Sequence, residues 1–237
     1  MRPEESIVRP EFRGPELPGG YLLFLPYLPY QDISSCLKSK SRQTMGLSSA
    51  KLHYLEDQAV MVGGLGAPAA IGALEKIRLA GLKKIILLSY CGSLSESLRI
   101  GQAFVPLRAS SDEGTSVHYL GTKMATITPP GSLTTKLISF LRRNSLPFNT
   151  GAIVSTDAPY RETPTWLRKM QKKGLVAVDM EASAVFAFGH FYKIAVAALF
   201  LVSDELFSGH WQNGLRSQEL EQATLKYFKS FLDKPLL

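Results

Sequence analysis

The chain has 237 residues, of which 45% are hydrophobic, 10% aromatic and 20% charged, a globular composition that excludes collagen, coiled-coil and disordered classes. Lysine and arginine number 27 against 20 aspartates and glutamates, a surplus of +7 that favours anionic partners: nucleic acid, an acidic membrane surface or a phosphorylated substrate. Two cysteines, Cys36 and Cys91, are too few for a disulfide framework or a CxxC zinc site, so a reducing, cytoplasmic setting is expected.

Residues 1–20 read as an extended Pro- and Gly-rich lead-in with no apolar core of a secretory leader. YLLFLP then predicts a buried strand, and the polar stretch 31–42 predicts surface. LHYL and AVMVGG, separated by Glu56-Asp57, predict a hairpin, and APAAIGALEKIRLAG a helix stopped at Gly81. KKIILLSY suits a central strand buried on both faces. AFVPL, VHYL and MATI predict a β-rich excursion over about 103–127. Leu133, Leu137, Phe140 and Leu141 mark a helix, and GAIVST a strand. Thr163-Pro164 opens a helix that Gly174 closes, and LVAVDM runs as a strand straight into the helix EASAVFAFGHFY. IAVAALFLVS predicts a long buried strand before a last helix over about 216–232. Its apolar run, 194–202, is about half of the roughly 20 residues that a membrane span needs, so no membrane association is expected. Strands alternating with helices predict one α/β domain over 1–237, its sheet covered on both faces.

Most motif candidates carry little chemistry. Gly64-Leu65-Gly66-Ala67-Pro68-Ala69 fits a dinucleotide fingerprint in form. The next strand ends in Tyr90 and Cys91 rather than in the acid that would hold a ribose, so a tight strand-to-helix turn is the better reading, with an anion site at the helix start left open. His53, His118, His190 and His210 are scattered, and no metal site is expected. The basic clusters at 38–42, 142–143 and 168–173 lack interleaved aromatics, so no nucleic-acid partner is expected. Asp179-Met180-Glu181 and Ser203-Asp204-Glu205 are sharper. Both lie at the ends of apolar strands, where α/β sheets bind ligands, and with Tyr90 to Ser93 they would face one crevice. The same carboxylates also fit as helix caps, and the pattern alone leaves both readings open.

These stretches resemble the nucleoside phosphorylase family, which includes purine nucleoside phosphorylases, uridine phosphorylases and nucleosidases. The matching segments are GGLGAPAAIGALEKI, CGSLSESLRIGQAFVP, DEGTSVHYL, STDAPYRE, VAVDMEASAVFAF and LFLVSDEL, in the family's order from about Ala59 to Leu206. The resemblance implies a three-layer α/β/α sandwich with a mixed, partly barrel-like central sheet. It also implies a homo-oligomer, from dimer to hexamer, and a pentosyltransferase of purine salvage that cleaves the N-glycosidic bond of a ribonucleoside. No cofactor is implied beyond inorganic phosphate as co-substrate.

Carried over by position, Glu181 binds the ribose hydroxyls, Met180 packs on the sugar, and Asp204 is the acid facing the purine N7. That last role calls for a carboxyl whose burial holds its proton near neutrality. Ser203, Pro159 and Tyr160 fall at the base, and Arg42, Gly64 and Tyr90 at the phosphate or anion. The chain departs from the family where phosphate binds. The Gly-Asp-Pro loop is replaced by the stretch Pro26 to Pro29, and an arginine and a Gly-Ser or Gly-Thr pair are replaced by Leu87, Ser89 and Tyr90. Each lost charge-assisted bond weakens phosphate binding by about 1.5–3 kcal/mol. A hydrolase using water, or a nucleoside-binding protein in which Tyr90 fills the phosphate space, are the alternatives.

Overall fold

The apolar runs form the centre of one mixed sheet in the computed structural model, which describes residues 6–122 and 126–233. Its strands are β1 (Tyr21–Leu25), β2 (Gln43–Gly46), β3 (Ala50–Tyr54), β4 (Ala59–Gly63), β5 (Lys84–Ser93), β6 (Ala103–Asp112), β7 (Asn149–Thr156), β8 (Ala177–Asp179), β9 (Ala195–Glu205) and β10 (Gln212–Asn213). They lie in the order β10-β9-β6-β7-β8-β5-β1-β4-β3-β2. A further parallel pairing, Lys84 to Ser93 of β5 along β9, closes β9, β6, β7, β8 and β5 into a five-stranded barrel. The sheet is therefore partly barrel-like, as expected.

Alternate residues of each strand enter opposite cores. Tyr21, Leu23 and Leu25 of β1 pack with Ile33 and Leu37 of α1 (Gln31–Lys40), Leu137 and Phe140 of α4 (Leu133–Arg143), and Phe228 and Phe231 of α7 (Gln218–Asp233). Leu22 and Phe24 face the other way, onto Ile71 and Leu74 of α2 (Ala67–Ile77) and Phe186 and Phe188 of α6 (Ala182–Tyr192). Helices thus cover both faces, giving the three layers. Burial of each such phenylalanine or leucine stabilises the fold by about 1.5–3 kcal/mol. Leu167 and Met170 of α5 (Pro164–Lys172) complete a smaller core under β7 and β8, and Thr163 caps that helix by accepting the Trp166 N–H at 3.2 Å.

The polar stretch 31–42 lies at the surface, as expected, and forms α1, an amphipathic helix whose apolar stripe is only Ile33 and Leu37, four residues apart. One sequence expectation fails. VHYL is not a strand but lies in the short helix α3 (Ser116–Leu120). The Glu113 carboxylate accepts the N–H groups of Thr115 and Ser116 at 2.5 and 3.0 Å, supplying the acceptors a helix start needs, and Gly121 at φ 69° ends it. The MATI expectation falls partly outside the described residues; Ile127 forms a single bridge to Ala109.

Where β5, β8 and β9 converge, the β5–β9 register shifts between Cys91 and Gly92. A Cβ at Gly92 would stand 2.7 Å from Leu206 and 3.1 Å from Asp204 Oδ2 and from Val178. Only glycine lets the three strand ends approach, and that approach assembles the cavity described next.

Candidate active site

A cavity of about 470 Å³ opens over the carboxyl ends of β5, β8 and β9, the position at which open α/β sheets take ligands. Tyr90 and Cys91 form its floor from β5, Asp179, Met180 and Glu181 enter from the β8–α6 junction, and Ser203 and Asp204 come from β9. Pro159, Tyr160 and Glu162 reach it from the segment after β7, and Trp211 from the β9–β10 connection.

The carboxylates have distinct partners, which separates site from cap. Asp179 is the cap of α6: it accepts the N–H groups of Glu181 and Ala182 at 2.9 and 2.6 Å and the Ser155 hydroxyl at 2.6 Å. Glu181 sits at the N-cap position but makes no cap bond to its own helix. Its Oε1 accepts the Gly66 N–H at 2.7 Å, at the start of α2. The anion at that helix N-terminus is thus supplied from within the chain. Asp204 caps nothing; Oδ1 accepts the Ser203 hydroxyl at 2.6 Å and Oδ2 the Trp211 indole N–H at 2.9 Å. The neighbouring Glu205 accepts from Arg99 and the Ile100 N–H and is structural.

Burial pushes the pKa of Glu181 up, and the charge of Asp179 adds to it. Burial also raises Asp179, against the opposing pull of its Ser155 and backbone bonds, with Glu113 adding repulsion. Glu162 is pushed up to about 7 by burial and then by the charge of Asp204. Asp204 itself is only partly buried, unlike the enclosed acid that the resemblance implies.

Seven of the nine candidate site residues therefore share or border one cavity: Asp204, Glu181, Met180, Ser203, Pro159, Tyr160 and Tyr90. Gly64 is not a lining residue, and its N–H is donated to Ser49 O at 2.8 Å. Arg42 lies elsewhere on the surface, paired with Glu56 at 2.6 Å. Leu87 is buried in the core, while the Tyr90 hydroxyl donates to Thr224 at 3.2 Å and its ring meets Tyr27 edge-on at 6.1 Å. Glu162 and Trp211 were not legible from the sequence. Glu162 ends the matching segment STDAPYRE, to whose last position the resemblance assigns no role, and Trp211 lies in a loop with no periodicity.

Among the described residues lining the cavity, none is lysine, arginine or histidine, and four are carboxylic acids: Glu162, Asp179, Glu181 and Asp204. No group of three or more His, Cys, Asp or Glu among the described residues is arranged to hold a metal ion. The rest of the wall is mostly aromatic and apolar, with Ser89, Ser203 and Cys91 as its other polar side chains besides the tyrosines and Trp211. Such a site can orient a polyhydroxylated ligand on acidic acceptors and exchange protons with it.

Similar proteins bear on this arrangement. A guanosine phosphorylase of Halorubrum lacusprofundi is 27% identical over 166 residues, covering 70% of this chain and 68% of the relative. A purine nucleoside phosphorylase of DeoD type from Clostridium novyi is 27% identical over 148 residues, 62% of this chain and 63% of the relative. The chain thus spans a little under two thirds of that relative's length. Two solved structures share the fold at 19% identity: a purine nucleoside phosphorylase from Toxoplasma gondii in complex with immucillin-H, with a TM-score of 0.75 over 90% of this chain and 88% of that one, and a uridine phosphorylase from Vibrio fischeri, with a TM-score of 0.69 over 91% and 92%. The family model described as phosphorylase superfamily matches residues 50–233, a stretch that holds the barrel, α2, α6 and every carboxylate of the cavity. With the barrel, the helical layers and that match in agreement, the chain belongs to the phosphorylase superfamily.

Proposed function

We propose that this protein cleaves the N-glycosidic bond of a purine-type ribonucleoside, with Glu181 accepting the ribose hydroxyls, Met180 against the sugar and Asp204 at the base. One observation carries this reading: two carboxylates of different chain segments, neither capping a helix of its own segment, face one cavity at the strand ends. Glycosidic cleavage develops positive charge on the sugar and negative charge on the leaving base. Carboxylates beside the sugar stabilise the first, and a proton donor beside the base neutralises the second.

The lining supports water rather than phosphate as nucleophile. A phosphate about 4 Å from one ionised carboxylate meets a repulsion of about 1–4 kcal/mol per charge pair, and no lining cation among the described residues offsets it. The second reading, phosphorolysis, is favoured by the similarity to a guanosine phosphorylase and a purine nucleoside phosphorylase and takes inorganic phosphate as co-substrate, with Arg42 reaching the site of a neighbouring subunit in a homo-oligomer.

Incubating a nucleoside panel with and without phosphate, and identifying both base and sugar products, tests these readings. Free ribose at a rate insensitive to phosphate supports hydrolysis, and ribose 1-phosphate supports phosphorolysis. Base released from no nucleoside under either condition rejects glycosidic cleavage and leaves a binding protein.

A further inference from the structure

The cavity holds two base-side carboxyls, and their surroundings differ. Both oxygens of Asp204 have a donor in reach: the Ser203 hydroxyl at 2.6 Å, whose one proton lies nearer Asp204 than the Cys91 carbonyl at 3.3 Å, and the Trp211 indole N–H at 2.9 Å. The indole is a donor only, so a proton on Oδ2 would confront another N–H. Glu162 follows a short 3-10 turn (Pro159–Arg161) and is partly buried. Its carboxyl lines the same cavity and makes no hydrogen bond with any described residue.

Two carboxyls sharing one cavity retain a proton between them, because ionising both places like charges together away from water. That proton settles on the member whose ionised form has fewer donors. We propose that Glu162, rather than Asp204, carries the proton that the departing base receives, with Asp204, held by Ser203 and Trp211, as the positioning partner. The proposal rests on the glycosidic-cleavage reading above and names the acid of that site.

The titratable groups that line the cavity with Glu162 agree with it. Asp204 comes from β9, Asp179 and Glu181 from the β8–α6 junction, Tyr90 and Cys91 from β5, Tyr27 from the β1–α1 connection, and Tyr160 from its own segment. All are acids, phenols or a thiol, so no lining cation among the described residues draws the proton away. Burial and the charge of Asp204 hold the Glu162 pKa at about 7, the range in which a general acid gives up and regains its proton readily. As the C1′–N bond breaks, its electron pair passes to the base and the Glu162 proton joins it. Water adds to C1′ through its oxygen, and the proton it loses returns to the Glu162 carboxylate. The sum is nucleoside plus water to free base plus ribose.

The test combines kinetics with a titration that does not depend on turnover. In the wild type, kcat is expected to fall above about pH 7. In Glu162→Gln it should drop about a hundredfold and lose that alkaline limb, while Glu162→Asp keeps the limb at a reduced rate. In Asp204→Asn the limb should move to lower pH by about one unit or more, because the charge that raises Glu162 is gone. Carbon-13 NMR of labelled glutamate should show, besides the raised Glu181 carboxyl, a second that titrates near neutrality and disappears in Glu162→Gln. An active wild type whose kcat and alkaline limb survive in Glu162→Gln overturns this proposal alone, as does a Glu162 carboxyl titrating in the ordinary carboxylate range. A wild type that releases base from no nucleoside overturns the functional reading and the donor role together.

Discussion

Glu181→Gln sets stability against function in a way the structure makes quantitative. Glu181 is 2% exposed, and its carboxyl shares a buried neighbourhood with Asp179. Its folded pKa therefore lies above the unfolded value, so the protonated form stabilises the fold at low pH, and that contribution is lost as pH rises through the folded value. Its pKa is pushed up to about 8, and at about 1.4 kcal/mol per unit that rise costs the ligand-free protein about 5 kcal/mol above the folded pKa. Glutamine keeps an acceptor for the Gly66 N–H and loses only the charge assistance, an offset of about 1 kcal/mol. The variant should gain about 4 kcal/mol at pH 9, about 8–16 °C in Tm for a domain of this size, and nothing at pH 4. Calorimetric melting of both proteins at the two pH values reads this directly. A Tm difference that is the same at both pH values, or a variant less stable at pH 9, refutes the buried-charge argument. In the same variant, nucleoside turnover should fall at least a hundredfold, since the sugar hydroxyls lose a charged acceptor.

Three further outcomes are expected. Gly66→Ala places a side chain at φ 87° and ψ 148°, a region that only glycine occupies without strain, and should cost about 1–3 kcal/mol in urea unfolding, although a Cβ there meets no atom within 4 Å. Thr163→Ala removes the side-chain cap of α5 and should lower stability by about 1 kcal/mol, read as a shift in the denaturant midpoint at unchanged slope. Phe200→Ala opens a cavity at a fully buried position of β9 and should cost about 3–5 kcal/mol by the same measurement.

The long strands were legible because β5 and β9 are buried on both faces and read as unbroken apolar runs. The chain closure was not, since the β5–β9 pairing joins segments about 110 residues apart and no local pattern encodes which strands meet. Helix α1 escaped notice because two buried residues in ten leave too narrow a stripe against a polar background. The α3 segment misled because its helical start depends on a side chain, Glu113, outside the apolar pattern. At the site, the acids at the strand ends could be read from their position. Glu162 and Trp211 could not, because loops carry them in and a loop's destination is set by the packing of what it connects.

Closing the ring has a further consequence for how copies of this chain can meet. Eight of the ten strands have a neighbour on each side, five of them in the barrel, and the sheet ends at β2 and β10. The first is four residues long with a largely exposed, polar face, and the second has two residues. Neither offers a long flat row of unpaired backbone groups for another chain to extend. Any assembly of this protein must therefore be written in side chains on helices and loops, where substitutions can change the partner without disturbing the sheet.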